Sequence, residues 1–371
     1  MTNPPPPGNW GPPPQYGQGQ PPYGPGPWPP QQGWGPPQPP KNNSLKWLLI
    51  SVAVLLVIAI SVGATLLFTR DGGGGTTQTA NGNPPATGDI ASANDTGPVS
   101  VITEDPTCEP SRPIISTLAQ RQRQGWTDRD IRIPASSWTP EQRSIHDNVA
   151  EAMKSAADRT TELARLTPHR VMRELYLQAI AYWRAYASAI PTYTEKDNSL
   201  AVVTTDLAGA IVSICAAIDY GSAESRGPLA KSSDAPKALE SSTNIDSPAR
   251  FISSSGEPTC ADWRATSRQF DTDVAAWHDI NPDIGAAEWT PEQRDVMNRT
   301  VSIMNQYADD LQTLGSRSEN QVLSDFAALS AVYWRAFTAS ISSYTTADSY
   351  LSSTANYANF AVYYACEAAG S

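Results

Sequence analysis

An all-α ectodomain built as a tandem duplication of an up-down four-helix bundle, one disulfide in each copy, is the fold the sequence predicts. Three observations predict it: a long repeat at constant offset, helical spacing of apolar residues inside each copy, and four cysteines in matched places. Trp138-Thr-Pro-Glu-Gln-Arg143 recurs as Trp289-Thr-Pro-Glu-Gln-Arg294, and Tyr182-Trp-Arg-Ala185 recurs as Tyr333-Trp-Arg-Ala336, both at an offset of 151. The same offset relates Trp126 to Trp277, Met153 to Met304, Tyr193 to Tyr344 and Cys215 to Cys366, whereas Cys108 and Cys260 are 152 apart. One residue of length difference therefore falls in or just after the first helix. Repeat 1 spans 107–220 and repeat 2 spans 259–371, each the size of one domain, with 221–258 as the joining linker.

Within each copy the elements follow in order. Ile115 to Gln124 carries a short helical stripe for helix one. Thr139-Pro140-Glu141-Gln142, repeated at Thr290 to Gln293, starts helix two: Thr as N-cap, Pro in the first turn, Gln three residues on to close a capping box. Met172, Leu175, Ala179, Trp183, Tyr186 and Ile190 advance by three or four residues and mark a buried third helix between Pro168 and Pro191. Leu200, Val203, Leu207, Ile211, Ile214 and Ile218 mark the fourth. Four helices in alternating direction bring the start of the first and the end of the fourth to one end, so the pairs Cys108–Cys215 and Cys260–Cys366 are expected. Each closes a loop of about 110 residues, for which chain entropy suggests roughly 4.7 kcal/mol. Disulfides in turn imply an oxidising compartment.

The rest of the chain is of another kind. Residues 1–40 contain 17 Pro, 8 Gly and no charged residue, with Trp and Tyr interspersed. Proline favours extended polyproline II, and no aliphatic run offsets the cost of ordering, so 1–45 is read as a disordered Pro-rich cytoplasmic tail. Trp47 to Thr69 are 23 uncharged, mostly aliphatic residues between Lys46 and Arg70. At 1.5 Å per residue they span roughly 34 Å, enough for a hydrocarbon core of about 30 Å. The segment 46–69 is thus a single transmembrane signal anchor, and Lys41 and Lys46 ahead of it place the N-terminus in the cytoplasm. Residues 70–106, rich in Gly, Thr, Asn and Ala, read as a flexible linker. The chain carries a net charge of −11, and the part beyond the anchor is more acidic still, which disfavours nucleic-acid binding.

Motifs for chemistry are absent: no Walker loop, G-x-G-x-x-G, G-x-S-x-G, C-x-x-C or H-E-x-x-H occurs. His146, His169 and His278 face Met297, Asn320 and Thr127 across the repeat and read as surface histidines, so no enzymatic activity, metal or cofactor is expected. What both copies keep falls at the end away from the disulfide. Trp126, Trp138 and Tyr193, with Trp277, Trp289 and Tyr344, flank the turns there, and Arg184 and Arg335 lie about 9 Å below by helical rise. The expected ion pairs are Arg184 with Glu141 and Arg335 with Glu292, with Asp128 and Asp279 as secondary partners; Asp158 and Asp309 count as too deep. Two uses of this end follow: a packed cap, or a small site where aromatic faces stack on a sugar or other ring while Arg holds an anionic or hydroxyl group.

The order of a Pro/Gly/Gln/Tyr/Trp-rich leader (NPPPPGNWGPPPQYGQGQPPYGPGPWPP), one signal anchor and a Gly/Thr linker resembles the actinobacterial proline-rich single-pass membrane proteins. The likeness covers roughly the first 100 residues and implies a cell-membrane location. The functional expectation is a non-enzymatic, membrane-anchored envelope protein whose duplicated extracytoplasmic domains bind or scaffold an envelope polymer or envelope protein. The alternative is a transmembrane adaptor or sensor whose tail recruits intracellular partners.

Overall fold

The computed structural model describes residues 90–236, 244–253 and 256–370. The Pro-rich tail, the signal anchor and the linker up to residue 89 lie outside the described residues. Among the described residues every regular element is helical. The long helices run α1 (Cys108–Gln122), α2 (Pro140–Leu166), α3 (Arg170–Ala189) and α4 (Asn198–Asp219). After a short α5 (Ser222–Arg226) come α6 (Cys260–Asp273), α7 (Pro291–Arg317), α8 (Gln321–Ser340) and α9 (Ser349–Ala368). The set α1–α4, here the first half, and the set α6–α9, the second half, match in order and nearly in length.

Local sequence dictates where these helices begin. Thr139 and Gln142 form the capping box with both bonds in place, the Gln142 N–H donating to Thr139 Oγ1 at 3.2 Å and the Thr139 N–H to Gln142 Oε1 at 2.9 Å. Thr290 and Gln293 repeat it with the same two distances. In each half an acid also ties the start of the first helix to the turn between the second and third. Asp105 accepts from the Thr107 N–H and hydroxyl and from the Thr167 hydroxyl; Glu257 accepts from Thr259 and Ser318 in the same way. The disulfides Cys108–Cys215 and Cys260–Cys366 join the first residue of α1 to α4 and of α6 to α9, as the alternating helix directions require.

The halves are not beads on a tether. The most extensive helix pairing among the described residues is α4 on α9, one from each half. At its centre Gly209 lets the two backbones approach, for a Cβ there would fall 2.7 Å from the Tyr357 ring. By length and composition α4 could cross a membrane, yet most of it is buried among the other helices, which makes it a core helix. Gly221, at φ +75°, ends α4 and turns the chain into α5. From α5, Arg226 reaches the second half and holds Asp348 through Nε at 3.0 Å and Nη2 at 3.1 Å.

Segments assigned to linkers by composition cross between the halves. Val99, Val101 and Ile102 are buried, and the Ile102 N–H donates to Tyr333 Oη of the second half at 3.2 Å. Residues 244–253 lie on the first half, where Tyr182 Oη donates to the Ile252 carbonyl at 3.1 Å and Gln178 bonds to both Ala249 and Phe251. The flexible-linker expectation therefore fails for 90–106, and the described parts of the joining linker 221–258 pack on the helices they connect. In the first, alternate apolar residues at Val99 and Val101 offset the ordering cost that Gly and Thr upstream do not.

Candidate functional site at the aromatic ends

The loop between α1 and α2 and the turn between α3 and α4 meet at one end, as expected, and are joined by a main-chain bond from the Ala135 N–H to the Tyr193 carbonyl at 2.9 Å. Ala286 and Tyr344 repeat it in the second half. On this frame Trp138 stacks on His146, with ring centres 3.8 Å apart, and lies beside Tyr193, at 5.4 Å. Its Nε1 donates to the Ile133 carbonyl at 2.9 Å, and Tyr193 Oη donates to the Ile131 carbonyl at 3.0 Å. Trp126 meets Tyr186 edge-on and donates to its Oη at 3.0 Å, while the Arg129 guanidinium covers the indole at 3.6 Å. Trp289 donates to the Ile284 carbonyl and stacks on Tyr344, whose Oη donates to the Pro282 carbonyl.

The polar tips of Trp126, Trp138, Trp289, Tyr193 and Tyr344 are thus spent inside the protein, and Trp126, Trp138 and Trp289 are only 4%, 9% and 6% exposed. Such rings have no face left for a sugar. The arrangement acts as a packed cap, and burial raises the Tyr193 and Tyr344 phenols above their ordinary range. Trp277 departs from the pattern: it is half-buried, edge-on to Trp334 and Phe337. His146 also departs from its sequence reading as a surface histidine. It is buried against Trp138, its Nδ1 lies 2.8 Å from the Gln142 carbonyl, and burial lowers its pKa.

The two arginines pair elsewhere than expected. Arg184 Nη2 bonds Asp158 at 2.8 Å and Arg335 Nη2 bonds Asp309 at 2.6 Å, so Glu141, Glu292, Asp128 and Asp279 are not their partners. The reason is that the two helices are of unequal length, 27 residues in α2 against 20 in α3, so depth counted from the aromatic end does not match levels on the two. Counted from the shared turn at 167–169, Asp158 and Arg184 differ in level by about 9 Å, which an extended Arg side chain covers.

A polar cluster that sequence reasoning missed lies between the halves. Arg170, 2% exposed, forms a two-pronged bond with Asp325 at 2.7 and 3.1 Å, and also donates to the Asp95 and Gly97 carbonyls. Arg173 donates to Ser92 Oγ. Glu174 is buried beside Asp325; burial, and then the charge of Asp325, push its carboxyl well above the ordinary range, which favours its protonated form. Asp206 in α4, buried near Tyr357 and Tyr364, is pushed up by burial alone. A signal was present, since Glu174 and Asp325 are equivalent acids at the 151 offset, each inside an otherwise apolar buried helix. Among the described residues no group of three or more His, Cys, Asp or Glu is arranged to hold a metal ion.

Comparison with known proteins follows the described region closely. The family described as mycobacterial ESX-1 associated protein matches residues 90–370. An uncharacterised protein of Mycolicibacterium smegmatis (strain MKD8) is 44% identical over 321 residues, covering 84% of this chain and 84% of its own. No solved structure matches.

Proposed function

The chain belongs to the mycobacterial ESX-1 associated protein family, and from that premise we propose that it is a non-enzymatic, membrane-anchored scaffold working outside the cytoplasmic membrane in secretion or envelope assembly. The family supports the setting. The disulfides support an oxidising compartment for α1–α9, and the 23-residue apolar run ahead of them supports an anchor. We further infer that the two halves are tandem copies of one four-helix unit, fused and then fitted to each other. The observation that carries the scaffold reading is the docking of α4 on α9, which together with the Arg170–Asp325 and Arg226–Asp348 pairs and the two disulfides joins the halves into one body.

The test is cosedimentation of the purified, oxidised full-length protein with isolated mycobacterial envelope fractions, beside a variant lacking residues 1–40. Saturable binding by both proteins supports the scaffold. Binding lost with the tail moves the function to an adaptor whose Pro-rich segment recruits partners, and binding by neither refutes the scaffold reading.

A further inference from the structure

The first described residues are tied down by the two arginines of the polar cluster. Asp95 accepts the Arg170 main-chain N–H at 2.7 Å and so caps the start of α3, while the Arg170 guanidinium donates to the Asp95 and Gly97 carbonyls and Arg173 Nη1 donates to Ser92 Oγ at 2.7 Å. Inside the segment the Ala93, Asp95 and Thr96 N–H groups bond to carbonyls a few residues back. Residues 92–97 thus form a compact strap tied to α3 through Arg170 and Arg173. The matched positions of the second half hold Gln321 and Ser324, so no second pair of arginines repeats it. Charge in the cluster balances only with a proton on Glu174. Arg170 and Arg173 face three carboxyl groups: Asp95 from the strap, Glu174 one turn along α3 from Arg170, and Asp325 from α8. Both Glu174 oxygens are buried without a hydrogen-bond partner, as is Arg173 Nε.

We propose that residues 92–97 are a proton-controlled strap, tied to α3 while Glu174 carries a proton and released when Glu174 ionises and draws Arg170 and Arg173 away from it. Protonated, Glu174 donates to Asp325, which lies within hydrogen-bonding reach, and both arginines stay on the strap. Ionised, its buried oxygens need donors, and the cations that act on it are Arg170 and Arg173 themselves. The direction follows from linkage. Burial and the charge of Asp325 raise the carboxyl in the tied state, so that state is unpenalised in acid. Release then grows as pH rises from the ordinary carboxylate range toward the folded value, by about tenfold for each unit. Lys231 and Asp234 line a cavity together with Asp325 and complete the charged surroundings on the α8 side. His169, beside Arg170, has Nε2 2.8 Å from the Glu104 carbonyl and also ties this stretch of chain, which makes it the control. Neither the anchor nor envelope binding enters, so the strap stands or falls apart from the scaffold reading.

Hydrogen exchange read by mass spectrometry on the oxidised full-length protein in detergent micelles tests this, with rates corrected for the intrinsic effect of pH. From about pH 5 to about pH 8 the peptide covering 90–97 should lose protection by about tenfold or more, while amides inside α2 and α7 stay unexchanged over the same interval. That reading needs the parent protein alone. Glu174→Gln, whose amide donates to Asp325 as the protonated acid does and never ionises, should keep the peptide protected at both pH values. His169→Gln should leave the parent's pH dependence in place. Exchange of 90–97 only together with α2 and α7, a loss with pH that survives Glu174→Gln, or one that disappears with His169→Gln overturns the proposal.

Discussion

Gly209 is the most direct handle on the docking of the halves. An alanine Cβ there would lie 2.7 Å from Cδ1 and Cε1 of Tyr357 and 2.8 Å from Cγ, against an ordinary carbon–carbon contact of about 3.5–4.0 Å. Tyr357 is itself buried, so the ring cannot swing into solvent and must retreat by roughly 1 Å into packed neighbours. Overpacking of that kind costs about 1–3 kcal/mol, from which the better helix propensity of alanine returns about 0.8–1.0 kcal/mol. Gly209→Ala should therefore destabilise by about 1 kcal/mol and Gly209→Leu by more. The decisive arm is the Tyr357→Ala background, itself costing about 3–5 kcal/mol, where the ring is gone and only the propensity gain remains. There Gly209→Ala should stabilise by about 0.5–1 kcal/mol. Urea unfolding of the four oxidised proteins, followed by tryptophan fluorescence, measures the cycle. A change of the same sign and size in both backgrounds would mean that α4 and α9 do not touch at this point in solution.

Glu174→Gln should raise stability in a pH-dependent way. Its folded pKa lies above the unfolded value, so the parent is unpenalised in acid and loses stability as pH rises from the ordinary carboxylate range toward the folded pKa, by about 1.4 kcal/mol for each unit over which Glu174 stays protonated. Urea midpoints near pH 5 and near pH 8 should diverge in favour of Gln at the higher pH; a gap that does not change with pH refutes the assignment. Replacing Cys108 and Cys215 by Ser opens a loop whose ends are 107 residues apart and should cost about 2–5 kcal/mol, lowering one shared unfolding transition and not splitting it in two. Asp158→Asn and Asp309→Asn remove ion pairs whose acids are largely exposed, and each should move the midpoint by less than about 1 kcal/mol.

What the sequence made legible was local or periodic. The capping residues Thr139 and Thr290 act within one turn, and the cysteine pairing follows from the parity of helix directions, so neither needs knowledge of distant contacts. The docking of the halves is not legible in the helical stripe of α4 alone. Ala201, Val202, Ala208 and Ala210 lie off that stripe and are buried too, so the helix is apolar on nearly all sides, the pattern of an element enclosed on every face. The aromatic ends could not be resolved from composition, since a stacking platform and a plug use the same rings. The difference rests on the carbonyls of Ile131 and Ile133 and on the Arg129 guanidinium, all in a loop of no regular pattern.

Where the halves meet, positions matched at the 151-residue offset are not interchangeable. Gly209 corresponds to Phe360, Asp206 to Tyr357 and Arg170 to Gln321, so the contact that Gly209 offers Tyr357 and the bond that Arg170 offers Asp325 each exist only in one direction. Two first halves would place Arg170 against Glu174, each twice, and would set Gly209 against Asp206 with no ring to fill the space. Two second halves would bring Phe360 and Tyr357 together where only one ring fits, with no arginine for Asp325. The segments that cross strengthen the bias: residues 99–102 travel with the first half but bond Tyr333, and residues 249–252 travel with the second but bond Tyr182. A chain divided between 236 and 244 should therefore yield fragments that each aggregate when made alone, having exposed an apolar α4 or α9, and that assemble one-to-one when made together. Size-exclusion chromatography with light scattering of the coexpressed pair reads the ratio directly. Stable homodimers of either fragment would show that the two halves remain interchangeable and that the asymmetry at Gly209 and Arg170 does not govern their docking.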